Sequence, residues 1–166
     1  MKEYINLNLF IQSRGHHEAA WNHPDASTKS LTDITYYQEL AKKAELALFD
    51  SIFFADSLAI TQDEACSGRI WLEPITLLSA IAVVTEKIGL IATGSSTYSE
   101  PYNLARQFAS IDHISEGRAA WNIVTSWRGP VARNFGNSGQ SSHADRYILA
   151  EEYILFKHWR KYSQTL

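Results

Sequence analysis

The 166 residues predict an α/β fold of about four consecutive βα units around a parallel sheet. Three observations carry that reading. Short runs rich in β-branched and aromatic residues alternate with segments of helical period. The helical segments open at a capping residue or a proline. Neither an internal repeat nor a low-complexity tract breaks the alternation.

The first strand is expected over 4–11, where Tyr4-Ile5-Asn6-Leu7-Asn8 alternates and Leu9-Phe10-Ile11 is continuously apolar. A polar loop rich in His, Asn and Pro follows. Asp33 can accept from the free N–H groups of a helix start, and Tyr36/Tyr37, Leu40, Ala41, Ala44 and Leu48 recur on one face behind it. Ser51-Ile52-Phe53-Phe54-Ala55 reads as a strand buried on both faces, ended by Asp56. The second helix opens at Glu73-Pro74, since proline's fixed φ and missing N–H suit the first helical position, and its inward stripe is Leu77, Leu78, Ile81, Ala82 and Thr85. A third strand covers 88–93. Pro101 then begins a helix carrying Leu104, Ala105, Phe108 and Ile111. The fourth strand covers 118–125. The last helix starts near Asp145, with Ser142 completing an S-x-x-D cap, and places Tyr147, Ala150, Ile154 and Trp159 inward. A closed barrel needs about eight such units in about 250 residues. A flavodoxin-like open sheet of about five strands is also compatible with this pattern.

Composition narrows the function classes. With 45% hydrophobic and 20% charged residues the chain suits one compact unit, 1–166. A net charge of −3 and a pI near 6.0 provide no basic footprint for nucleic acid. No apolar run approaches the roughly 20 residues of a membrane span, and the first residues lack a signal-peptide pattern, which points to the cytoplasm. Cys66 has no CxxC partner and reads as an incidental surface thiol.

In parallel α/β folds ligands bind at the carboxyl ends of the strands. Polar clusters follow each strand here: Gln12 to His17 with Trp21, then Asp56-Ser57, then Gly94 to Tyr98, then Asn122, Thr125 and Ser126. Adjacent His16 and His17 would point oppositely in extended chain, which argues against a shared metal. No G-x-G-x-x-G follows a strand and no Walker-type Gly-Lys-Ser/Thr exists, so dinucleotide and P-loop sites lack their phosphate cradle. Asp56 reads either as a turn carboxylate or as a ligand contact. Asn122, an amide in an otherwise apolar strand, is either a structural bridge or a cofactor contact. His143 and Tyr147, four apart, share one helix face and can reach one ligand or simply pack.

Taken together, several segments resemble one branch of the bacterial-luciferase-like flavin monooxygenases, that of the nitrilotriacetate, dibenzothiophene-sulfone and long-chain alkane monooxygenases. The carriers are Gly15-His16-His17, Phe49-Asp50 through Asp56, Leu72-Glu73-Pro74, Glu100-Pro101-Tyr102, Ala120 to Ser126, Arg133 to Gly136, and His143-Ala144-Asp145-Arg146-Tyr147. The resemblance implies a (βα)8 TIM barrel of which these four units are the N-terminal half. It implies FMN as cofactor, reduced by a separate NAD(P)H-dependent flavin reductase, with O2 and a small organic molecule as substrates. It further implies that Asp56, Ser96, Asn122, His143 and Tyr147 surround the flavin and that His17 borders the oxygen or substrate pocket. No metal is implied. A deazaflavin cofactor fits the segments after Trp121 and His143 less well.

On the same resemblance the chain stops about midway through the family's barrel. That makes it a fragment of a monooxygenase, one half of a split enzyme completed by a C-terminal half or by self-association into a homo-oligomer, or a non-catalytic flavin-binding half-barrel module.

Overall fold

The computed structural model describes residues 4–17, 19–60 and 72–155; Cys66 and Trp159 lie outside the described residues. The elements are β1 (Asn8–Phe10), a 3-10 turn (Ala20–Asn22), α1 (Ile34–Leu46), β2 (Ser51–Phe54), α2 (Pro74–Ala82), β3 (Gly89–Ser95), α3 (Pro101–Ile114), β4 (Ala119–Val124), α4 (Val131–Asn134) and α5 (His143–Leu155). The strands form one sheet in the order β1-β2-β3-β4, each pair parallel. The α/β expectation of four βα units is met.

Caps set the helix starts. Asp33 accepts from the Thr35 N–H at 2.9 Å, and the Glu73 carboxylate takes the N–H groups of Ile75 and Thr76 at 2.8 and 2.7 Å ahead of Pro74. Ser142 accepts from the Asp145 N–H at 3.1 Å, as the S-x-x-D pattern predicts.

Alternate strand residues face opposite sides of the sheet. Ile52, Phe54, Leu90 and Ala92 point to the helices and are buried. They meet Tyr37 of α1, Leu78 and Ile81 of α2, and Leu104, Phe108 and Ile111 of α3 in one core. Full burial of each large aliphatic side chain contributes about 1.5–3 kcal/mol, so this layer is the main source of cohesion. Trp121 joins it, 5.8 Å from the Phe108 ring, with its indole N–H donating to the Gly94 carbonyl at 3.1 Å. Gly94 is required there: a Cβ would lie 2.7 Å from Trp121 Nε1. The second face carries Phe10 against Phe53 at 4.7 Å, then Ile91, Thr93 and Asn122, and apart from the buried Thr93 it is only half-buried.

The amino ends of the strands are fixed by two polar staples. The Arg118 guanidinium donates to Ser115 O, Thr85 Oγ1, Ile88 O, Ala82 O and Thr85 O at 2.7–3.0 Å, using all its donors. The Glu45 carboxylate accepts the N–H groups of Glu86, Lys87 and Ile88.

Three expectations need correction. β1 is shorter than 4–11: among the described residues its partner β2 begins at Ser51 opposite Asn8, only Leu7 ahead of it still bonds to Asp50, and Tyr4 and Ile5 are exposed. Leu48 does not join the inner stripe of α1. The helix ends at Leu46, and Leu48 adopts φ +62, the left-handed conformation of a helix exit, with its side chain 84% exposed. On α5, Tyr147 and Ile154 are exposed, whereas Arg146, Ala150 and Tyr153 are buried. The helix is rotated so that Tyr153 reaches the Trp121 ring at 5.7 Å. Ala150 is common to the expected and observed faces, and Arg146 and Tyr153 take the places expected for Tyr147 and Ile154.

Candidate functional site

At the carboxyl ends of β1 and β2 lies a cavity of about 290 Å³, and beside it a smaller one of about 90 Å³ reaches the ends of β3 and β4. Asp56, Ser57, Trp127 and Arg128 line both. The larger has an apolar side made by Phe10, Phe54, Leu72 and Leu77; the smaller has a hydroxyl side made by Thr93, Ser95 and Ser126.

Asp56 follows the last residue of β2, so the strand aims it at this rim. Burial pushes its carboxyl up to about 6, against the Ser57 backbone N–H that stabilises the anion and with help from the negative charge of Glu73. An acid that exchanges its proton near neutrality, in a cleft, has the character expected of a functional group. Tyr37 also lines the larger cavity, but its hydroxyl is committed to Leu31 O at 2.7 Å and burial pushes it to about 12. It is a structural group.

The loops around Asp56 are tied across the rim. Ser57 Oγ donates to Ala59 O and accepts from Arg128 Nη1 at 2.9 Å. Asn134 of α4 donates to Leu58 O at 2.8 Å. On the β3 side, Thr93 Oγ1 donates to Phe54 O and accepts from Asn122 Nδ2, both at 2.9 Å. Ser95 Oγ accepts the N–H groups of Thr97 and Tyr98 and pairs with Ser126 Oγ at 2.7 Å. Ser126 holds φ +49, a conformation non-glycine residues seldom take. Such strain collects where a backbone is over-determined around a site.

The expected site residues divide. Asp56 is in the cavity wall. Asn122 stands behind it, bonded to the cavity residue Thr93. Ser96 is 1% exposed with its hydroxyl on Val124 O at 3.2 Å; the cavity hydroxyl is Ser95, its neighbour. His17 is exposed, its Nδ1 taken up by the Ala19 N–H at 3.1 Å, and it lines neither cavity. His143 and Tyr147 stack at 4.5 Å on the exposed start of α5, also outside both. Trp127 and Arg128 escaped sequence reasoning, although their place just beyond β4 is where the strand-end rule directs attention.

Among the described residues no group of three or more His, Cys, Asp or Glu side chains could hold a metal ion, and no helix is long and apolar enough to cross a membrane.

The family model of luciferase-like monooxygenases matches residues 11–158. The chain belongs to that family. Within it, N-acetyl-S-(2-succino)cysteine monooxygenase of Bacillus subtilis is 49% identical over 92% of this chain and 35% of its own length. Nitrilotriacetate monooxygenase component A of Aminobacter aminovorans is 44% identical over 93% of this chain and 37% of its own. Among solved structures, the EDTA monooxygenase of Chelativorans sp. BNC1 superposes with a TM-score of 0.85 at 33% identity, covering 92% of this chain and 37% of that one. A long-chain alkane monooxygenase also gives 0.85, at 35% identity, covering 94% and 38%. This luciferase-like chain thus spans a little over a third of the length of its relatives. Its four units match the N-terminal part of their TIM barrels.

Proposed function

We propose that this chain forms the flavin-ring end of an FMN-dependent monooxygenase that uses O2, and reduced FMN delivered by a separate NAD(P)H-dependent reductase, to oxygenate a small organic substrate. The supporting observation is the convergence of Asp56, Ser57, Thr93 and Ser95 on adjoining cavities with one apolar side, at the carboxyl ends of parallel strands. A planar heterocycle with a polar edge suits that donor and acceptor set. When bound, the flavin supplies the redox chemistry; the chain orients it and excludes water. Asp56 and Ser95 hydrogen-bond its edge, with Ser96 bracing the turn behind Ser95 and Asn122 supporting Thr93 from beneath. His143 and Tyr147 flank the phosphate side, and His17 borders the substrate entrance.

One relative is named as component A, which supports a reductase partner. Two relatives are named for N-acetyl-S-(2-succino)cysteine and nitrilotriacetate, molecules that carry several carboxylates. Titration of the chain with FMN, followed by flavin fluorescence, tests the reading. Saturable binding that weakens roughly tenfold in D56A and N122A is expected, the equivalent of one lost hydrogen bond each. Absence of saturable binding, or variants that bind as wild type does, refutes it.

A further inference from the structure

We propose that Trp127 holds the flavin by stacking on its ring, which gives the site an affinity for the bare ring that does not depend on the cofactor's ribityl phosphate. The inference rests on the monooxygenase reading above and adds a ring-binding residue to it.

Among the described residues that line both cavities, Trp127 is the one aromatic. Although it belongs to the wall they share, it is 76% exposed. Apolar surface left in water is unfavourable until a partner covers it, and the face of an indole is best covered by another flat ring. The backbone that carries Trp127 is fixed at the two residues before it. Thr125 O accepts from Thr97 Oγ1 at 2.9 Å, Ser126 O accepts from Gln140 Nε2 at 2.8 Å, and Ser126 Oγ pairs with Ser95 Oγ at 2.7 Å. Within these bonds Ser126 is held at φ +49, so a strained turn sets the direction in which the chain leaves β4. The next residue braces the ring itself. The Arg128 guanidinium carbon lies 5.6 Å from the indole centroid, and Arg128 Nη1 is tied to Ser57 Oγ at 2.9 Å. A large flat side chain that is exposed yet already held loses little conformational freedom on binding, so its contact with a ring appears as affinity. The hydroxyls and Asp56 deeper in the cavities can meet a ring's polar edge, whereas Trp127 meets its face.

The test is titration of the full chain with FMN and with lumiflavin, the ring lacking the ribityl phosphate, read by calorimetry and by flavin fluorescence. Wild type is expected to bind both, with the emission of bound lumiflavin quenched by the stacked indole. W127A should weaken both ligands by about tenfold, the equivalent of one aromatic contact. W127F should keep part of the affinity, while the bound lumiflavin is brighter than in wild type because phenylalanine stacks without quenching. Circular dichroism checks that W127A folds; if it does not, W127F decides. Wild-type affinity for lumiflavin in W127A, a loss confined to FMN, or bound lumiflavin no brighter in W127F than in wild type overturns the proposal. Wild type that binds FMN but not lumiflavin sinks this inference and leaves the flavin reading standing, whereas wild type that binds neither sinks the flavin reading itself.

Discussion

Replacement of Arg118 by methionine should cost this chain a large share of its stability. The side chain ties the entrance of β4 to the end of α2, the turn after it and the start of β3 through five hydrogen bonds, four of them to backbone carbonyls. Methionine conserves much of the stem but leaves those carbonyls without their donor. Each bond to a charged group is worth about 1.5–3 kcal/mol when lost singly. The five are coupled and water re-enters partly, so the sum is not reached; about 3–5 kcal/mol is the expected loss. Against a total stability of about 5–15 kcal/mol that is a severe effect. Urea unfolding followed by circular dichroism reads it directly: with a slope of about 2 kcal/mol per molar, the midpoint should fall by about 2 M. R118K should recover only a minor part, since an ammonium cannot reach Ser115, Thr85, Ile88 and Ala82 together. An R118M midpoint within about 0.5 M of wild type, at unchanged slope, would show that the staple contributes little and that apolar burial alone sets the strand ends.

Asp56 gives a pH signature. Its folded-state carboxyl lies at about 6 against an ordinary 3.8, so the fold favours the neutral form; that stabilisation is full below the ordinary value and is lost as pH rises through about 6. The permanently neutral D56N should therefore match wild type near about pH 4 and exceed it near about pH 8 by ~1–3 kcal/mol, solvent at the cavity mouth reducing the larger figure. A difference in unfolding free energy that is flat over that range contradicts the assignment. G94A should destabilise by about 1–3 kcal/mol through overpacking, since the new methyl meets Trp121 Nε1 at 2.7 Å and the Leu104 methyls at 3.3 and 3.4 Å. A matching shift in tryptophan emission is expected, and wild-type emission with wild-type stability would refute the close packing.

Much of the fold was legible because its signals are local. Pro74, Pro101, Asp33 and Ser142 mark helix starts by chemistry that does not depend on tertiary context, and the unbroken apolar run at Ile52-Phe53-Phe54 signals a parallel strand, although Phe53 on its second face is only half-buried. The misses arise where a distant partner decides. The length of β1 is set by β2, forty residues on. The inward face of α5 is set by where Trp121 stands. At the site, Asp56 was legible from its place after β2, yet nothing in its neighbours reveals the burial that raises its carboxyl. Ser95 and Ser96 are equivalent in sequence and both are buried, and only the end of the β3 ladder decides that Ser95 lines the cavity while Ser96 does not. Arg128 was hidden by a Trp-Arg-Gly-Pro stretch that reads as an ordinary exposed turn.

The position of each cavity residue along the sheet also bears on how the site yields to a guest. Asp56 and Ser95 hang from β2 and β3, which are bonded to neighbours on both sides, while Gln12 and Ser13 follow β1, and Trp127 and Arg128 follow β4, each bonded on one side in the described sheet. Opening a doubly bonded strand requires breaking two ladders, whereas an outer strand gives way at the cost of one. Within the described sheet the pocket's acid thus follows a strand held by two ladders, and its cation one held by a single ladder.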